Sequence, residues 1–266
     1  MEIKAIKFYK DGFMTQGFAF GGEEGKENFD NNIKYRAGLT NYLIDAGKEI
    51  ILVDTGMDVG TPEGQYNPNL AIYNGTKIAD YIDAFKDLGY KPEQVTKILL
   101  THKHPDHSGA LKSFPNAKIY CSEEESRSPV LKNIPNIIPV QYKDGAYYNF
   151  KKCEKIEDGI YLIKAPGHTM GNSIVIVEKN GLYYMIHGDI TYTDEALYEN
   201  KLSVVYEDIN LARETLDNVR EFIRNHPTVY ISTHTPLGYE NLENNKVIDL
   251  DNPPKVIPPK DIFDKA

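Results

Sequence analysis

Thr101-His102-Lys103-His104-Pro105-Asp106-His107-Ser108-Gly109 places three imidazoles and one carboxylate within six consecutive positions. His102 and His104 stand two apart, so in an extended stretch their side chains project to the same side and can share one ion. Asp106 and His107 follow where the chain passes from loop into helix, and the turning backbone can aim them at a second point. The bland alternative is a polar loop in which histidines crowd by chance. One histidine would fit that reading; four potential ligands in this order do not. Upstream, Val95 to Thr101 contains the apolar run Ile98-Leu99-Leu100 and reads as a buried strand. The cluster therefore sits at a strand's C-terminal end.

Further donors recur, each just past a predicted strand. His168 lies in Gly167-His168-Thr169-Met170-Gly171 after Ile160 to Lys164, and Asp189 in His187-Gly188-Asp189 after Met185-Ile186. His234 lies in Ser232-Thr233-His234-Thr235-Pro236 after Val229-Tyr230-Ile231. Loops at one edge of a sheet are where rigid scaffolds present binding groups. This accounts for five of the seven histidines. His187 and His226 are read as structural, His187 beside the ligands and His226 at a helix end.

The remaining pattern alternates strands with helices. Tyr42-Leu43-Ile44 and Ile50-Ile51-Leu52-Val53 flank a turn at Gly47 and lead into Asp54-Thr55-Gly56. A Gly-, Pro- and Asn-rich loop of roughly 19 residues follows, from Met57 to Gly75, longer than usual for a connection and suggestive of a lid or binding loop. Thr76 is expected to cap a helix carrying Ile78, Ile82, Phe85 and Leu88 on one face and stopping at Gly89. Lys118 to Cys121 reads as a strand. Ser173 to Val177 and Leu182 to Ile186 read as a hairpin across Lys179-Asn180-Gly181, because Asn-Gly favours tight primed turns. Asp208 starts a helix with Ile209, Ala212, Leu216, Val219, Phe222 and Ile223 on one face, ended by Pro227. Strands in runs with interleaved helices imply a layered α/β protein with mixed sheets. The expected organisation is one domain over 1–249 and a Pro-rich tail over 250–266, extended along the surface or partly mobile.

Composition narrows the function. Lys and Arg total 30 against 39 Asp and Glu, a net charge of −9, which disfavours nucleic acid as a substrate. Hydrophobic residues make up 41%, enough for a sizeable core in a chain of 266 residues. Cys121 and Cys153 have no metal-binding spacing and define no disulfide scaffold. No stretch approaches the ~18 apolar residues of a membrane span, and the first residues lack the apolar run of a signal peptide. A cytoplasmic protein is the expectation, with no membrane or nucleic-acid partner and a homodimer left open.

The donors together resemble the metallo-β-lactamase superfamily, whose motif is His-x-His-x-Asp-His followed by a lone His, a lone Asp and a lone His. The resemblance covers roughly Tyr42 to Pro236. It implies a four-layer αββα sandwich with the site at the sheet edges. It also implies that His102, His104 and His168 hold one metal, that Asp106, His107 and His234 hold another, and that Asp189 bridges them. Asp54, in the family's Asp-Thr-Gly stretch, would orient a histidine. Imidazole and carboxylate suit two zinc ions, and iron, manganese or cobalt as well. Two such ions can bind one water between them and lower its pKa, giving a bridging hydroxide near neutral pH.

Within the superfamily the sequence is most similar to the N-acyl homoserine lactone lactonases. Asp189 is followed by Ile190-Thr191-Tyr192-Thr193, as that subfamily carries a tyrosine three residues after its bridging aspartate. A long helix and a strand ending in a single histidine come next, and about 32 residues follow His234. The resemblance implies that Tyr192 hydrogen-bonds a developing oxyanion and that Asp106 protonates the leaving alkoxide. The expected substrate is a small ester or lactone. Pro105 stands where those lactonases carry an aromatic, and Met170 and Asn172 replace a Pro and a second His of the family, which puts the pocket wall in doubt. Phe18, Phe20, Tyr66 and Tyr73 are candidates to supply apolar surface. The rivals are a thioesterase or another carboxylic or phosphoric ester hydrolase of the superfamily, and a metal-stabilised binding module without catalysis.

Overall fold

Alternate residues of the same strands go to different cores, and this sorts the molecule into layers. The computed structural model describes residues 1–254. Most of the expected Pro-rich tail, including Pro258 and Pro259, lies outside the described residues.

The first sheet contains β1 (Glu2–Thr15), β2 (Lys34–Asp45), β3 (Ile50–Val53), β4 (Ile72–Tyr73), β5 (Thr76–Lys77), β6 (Val95–Leu99), β7 (Lys118–Ser122) and β8 (Ile137–Val140). The second contains β9 (Cys153–Glu157), β10 (Ile160–Lys164), β11 (Ser173–Lys179), β12 (Leu182–Ile186) and β13 (Thr228–Ile231). The helices are α1 (Gln16–Phe20), α2 (Tyr81–Lys86), α3 (Pro105–Ser108), α4 (Glu123–Ser126), α5 (Asp194–Tyr198), α6 (Ile209–Asn225) and α7 (Leu237–Glu243). The first sheet runs β4-β1-β2-β3-β6-β7-β8 with β5 against β1, and the second runs β13-β12-β11-β10-β9.

Tyr42, Ile44, Ile51, Val53 and Leu99 of the first sheet meet Leu162, Val175, Val177, Ile186, Val229 and Ile231 of the second in one apolar cluster. Their neighbours of opposite parity point outward. Leu43, Leu52 and Ile98 pack under Tyr81, Ala84 and Phe85 of α2. Ile174, Ile176, Met185 and Tyr230 pack under Leu216, Val219, Phe222 and Ile223 of α6. Each large apolar side chain fully buried this way contributes about 1.5–3 kcal/mol. Period-2 strands thus build two outer cores and one central core, and the result is a four-layer αββα sandwich.

The α6 face and its cap agree with the sequence, for the Asp208 carboxylate accepts from the N–H groups of Asn210 and Leu211. The Asn180-Gly181 hairpin also forms, with φ of 54° and 76° at the two turn residues. The helix expected from Thr76 is corrected: it begins at Tyr81 with Asp80 at its cap position. Thr76 and Lys77 pair instead with Lys10 and Tyr9 at the edge of β1, so their backbone groups are committed to a sheet. Ile78, placed on the buried face by periodicity, is 48% exposed.

The pairs β3–β6 and β12–β13 are parallel, and β10 lies two antiparallel steps from β12. All five strands therefore end on the same edge of the sandwich. Asp54 follows β3, His102 follows β6, His168 follows β10, Asp189 follows β12 and His234 follows β13. The sheets are stitched together there: Ser173 N donates to the Thr101 carbonyl, and Gly38 N and Thr40 N donate to the carbonyls of His234 and Thr233.

Candidate metal centre

Pro105 occupies the first position of α3, where its missing N–H costs nothing and its fixed φ favours the helix start. That single turn swings Asp106 and His107 away from His104. The Asp54-Thr55-Gly56 stretch clamps the turn from below. Thr55 N donates to the His107 carbonyl at 2.6 Å, and Gly109 N to the Gly56 carbonyl at 2.7 Å. A Cβ at Gly109 would lie 2.2 Å from Asp58 N, so only glycine admits this approach.

Two groups of side chains converge. His102, His104, His168 and Asp189 form one, and Asp106, His107 and His234 form the other. Asp189 faces both: its Oδ2 lies 3.4 Å from His168 Nε2 and 3.0 Å from His234 Nε2, and its Oδ1 lies 3.0 Å from His107 Nε2. All of these groups are buried except His104 and Asp106, which are partly exposed.

Outer partners decide which ring nitrogens face inward. The Val205 carbonyl lies 3.1 Å from His168 Nδ1; a carbonyl only accepts, so Nδ1 carries the hydrogen and Nε2 is bare. The Asp54 carboxylate does the same for His107 through Nδ1 at 2.7 Å. Thr101 Oγ1 donates to Asp54 at 2.8 Å and accepts from His102 Nδ1 at 3.0 Å, leaving His102 Nε2 bare. Three inward nitrogens, His102 Nε2, His104 Nδ1 and His168 Nε2, then stand 2.9–3.1 Å apart. This is close to the ~3.3 Å edge of a tetrahedron with bonds of about 2.0–2.1 Å. The bare lone pairs of His102 Nε2 and His168 Nε2, 3.1 Å apart, repel one another unless a proton or a cation lies between them.

The second group tells the same story. His107 Nε2 and Asp189 Oδ1 are buried and face each other at 3.0 Å, yet make no hydrogen bond of good geometry, and His234 Nε2 points to the same place, 3.4 Å from Asp106. Burial opposes a charge on His107, yet Asp189, Asp54 and Asp106 together raise its pKa well above the usual imidazole value. Positive charge is favoured at that point. The donor set fits two divalent cations.

Tyr192 stands beside both groups. Its ring stacks on His234 at 4.4 Å and meets Phe18 edge-on at 5.0 Å. Burial, then the charges of Asp189 and Asp106, hold its phenol well above the usual pKa, so it stays a donor at neutral pH. Of the apolar candidates, Phe18 reaches this tyrosine. Phe20 is buried against Tyr35 and Phe29, whereas Tyr66 and Tyr73 pack on Phe13 and each other.

His187 is fully buried with its ring stacked on Tyr230 at 3.9 Å, and neither nitrogen has a partner. His226 caps the end of α6 and packs on Phe222. The sequence reading passed over Thr101, which links Asp54 to His102, and Glu125, whose carboxylate touches two ligand loops. Thr101 stands next to the motif and could have been suspected. Glu125 sits inside Glu123-Glu124-Glu125, which reads as a solvated charge run.

Comparison with known proteins meets the same stretch. Residues 40–130, which include the entire His102 to His107 segment, match the metallo-beta-lactamase superfamily. Over that stretch the chain is similar to members of this superfamily. An N-acyl homoserine lactonase of Bacillus sp is 28% identical over 218 residues, spanning 73% of this chain and 79% of that protein. The N-acyl homoserine lactonase AiiA of Bacillus thuringiensis subsp. kurstaki is 26% identical over 213 residues, with the same shares. Among solved structures, an AiiA mutant of B. thuringiensis with N-decanoyl-L-homoserine bound at the active site superposes with a TM-score of 0.70 at 19% identity, over 92% of this chain and 96% of that one. AidC, a dizinc quorum-quenching lactonase in complex with a product, gives 0.64 at 19% identity, over 88% and 90%. These structures share the fold. The relatives matched along most of the chain are lactonases, and the family model matched over residues 40–130 is that of the metallo-beta-lactamase superfamily. No helix among the described residues is long and apolar enough to cross a membrane.

Proposed function

We propose that this chain opens the lactone ring of N-acyl homoserine lactones or a similar cyclic ester. The observation that carries the proposal is the position of Tyr192, stacked on His234 beside Asp189, in a protein whose relatives are named N-acyl homoserine lactonases. His102, His104 and His168 would hold one divalent ion, Asp106, His107 and His234 the other, and Asp189 both; zinc is the first choice. When bound, such ions supply Lewis acidity and a water ionised near neutral pH.

The protein's own groups do the rest. Tyr192 Oη donates to the substrate oxygen on which charge grows as water adds to the carbonyl carbon. Asp106, with a side chain 17% exposed, is placed to take a proton from the attacking water and pass it to the ring oxygen as its bond to the carbonyl carbon breaks. Phe18 supplies apolar surface next to Tyr192. Ring opening gives a single hydroxy acid, whose carboxyl group ionises at neutral pH and releases one proton per turnover.

Proton release by metal-loaded protein from a panel of acyl homoserine lactones tests this. Rapid release that disappears on metal stripping and returns on reloading is expected. No release from protein holding two ions would sink the lactone assignment and turn attention to thioesters and phosphoesters. Tyr192→Phe is expected to lower kcat by roughly 10²-fold with metal content unchanged, the usual cost of one oxyanion donor. A Tyr192→Phe enzyme at full rate would remove that role.

A further inference from the structure

We infer that Glu125 is a positioning residue that sets the first metal's ligand geometry by tying together two loops from different sheets. Glu125 is 1% exposed, and its carboxylate makes three hydrogen bonds. Oε2 accepts from Lys103 N at 2.9 Å, between His102 and His104. Oε1 accepts from Thr169 Oγ1 at 2.6 Å and from Gly171 N at 3.2 Å, in the loop that carries His168. The first loop leaves β6 and the second leaves β10, so one side chain fixes the separation of three imidazoles that reach the site from opposite sheets.

The neighbourhood is built around this carboxylate. Ser122 Oγ accepts from Glu125 N at 3.2 Å and anchors the turn of α4. A Cβ at Gly171 would lie 2.6 Å from Glu125 Oε1 and 2.3 Å from Ser122 Oγ, so the loop can reach the carboxylate only as glycine. The nearby Lys103 ammonium turns away to Glu207 at 2.5 Å, so the bonds to Glu125 come from two backbone amides and a hydroxyl. These hydrogen bonds hold the loops that carry His102, His104 and His168 rather than a helix or strand. Partners outside the ligands fix how the ligands are presented, and losing one typically lowers metal affinity about 10- to 100-fold.

The inference rests on the proposed ligand role of His102, His104 and His168. Glu125→Gln tests it because an amide presents an acceptor on one side only. Whichever way the amide turns, its NH2 faces Lys103 N–H or the Thr169 and Gly171 donors. Chelator competition on the full chain is expected to show a fall of about 10- to 100-fold in affinity at one of two sites, with the other site and the circular dichroism retained. The cobalt-substituted protein should show an altered visible spectrum, and amide exchange at Lys103 or Gly171 should quicken. Glu124→Gln, which removes a neighbouring surface carboxylate paired with Lys164, should change none of these. If Glu125→Gln does not fold, Thr169→Val, which deletes one donor, takes its place with the same readouts. Wild-type affinity, spectrum and exchange in the folded variant overturn the proposal. Wild-type protein that binds no metal would instead sink the ligand reading itself.

Discussion

Replacing Asp189 by alanine is expected to empty both metal sites and abolish hydrolysis. Every other ligand candidate belongs to one group; Asp189 touches both, through Oδ2 toward His168 and His234 and through Oδ1 toward His107. Losing an outer partner of a metal ligand costs roughly 10- to 100-fold in affinity, and losing a shared inner carboxylate should exceed that at each site. The variant also leaves five imidazoles crowded without the carboxylate that separates the two groups. Elemental analysis after chelator competition should find less than one ion per chain where wild type keeps two. The thermal shift between stripped and metal-loaded protein should shrink with it, because ligand-linked stabilisation follows affinity. Two ions retained at wild-type affinity would show that Asp189 is not the shared ligand.

How much of this was legible beforehand depended on where each hydrogen bond leads. The donors of both groups were readable because each follows an apolar strand, and strands ending in parallel on one edge deliver them together. The αββα layering followed from the same runs: Ile50-Ile51-Leu52-Val53 is buried on both faces, as a strand between two cores must be. The start of α2 was misplaced because Thr76 has good capping chemistry, yet its backbone was claimed by β1, a partner more than sixty residues upstream. Local propensity carries no record of such a competitor. Glu125 was invisible for a related reason. Its neighbours Glu123 and Glu124 make ordinary surface ion pairs with Arg127 and Lys164, and the helical turn alone sends the third acid inward. Thr76 and Glu125 both show tertiary pairing overriding a sound local reading.

Asp54→Asn is expected to cost about as much in metal affinity as the loss of any outer partner, roughly 10- to 100-fold, through a tautomer rather than through shape. Asp54 sits at φ 64°, a left-handed conformation that asparagine tolerates as well as aspartate, so the backbone should not object. The side chain is fully enclosed and accepts three bonds: Thr101 N at 2.7 Å on Oδ1, and Thr101 Oγ1 at 2.8 Å and His107 Nδ1 at 2.7 Å on Oδ2. An asparagine cannot accept all three. With its NH2 toward His107, it donates to Nδ1 and drives the ring hydrogen onto Nε2, the atom aimed at Asp189, so His107 can no longer ligate. With its NH2 toward Thr101, it opposes a buried backbone N–H, at a cost of about 1–3 kcal/mol for each polar group left unsatisfied. The two orientations can be told apart. The first weakens metal binding with little change in the thermal midpoint of the stripped protein, and ¹⁵N shifts of His107 should report hydrogen on Nε2. The second lowers that midpoint while His107 keeps its tautomer. Wild-type affinity, midpoint and tautomer together in Asp54→Asn would mean that the Asp54–His107 contact, for all its burial, orients nothing.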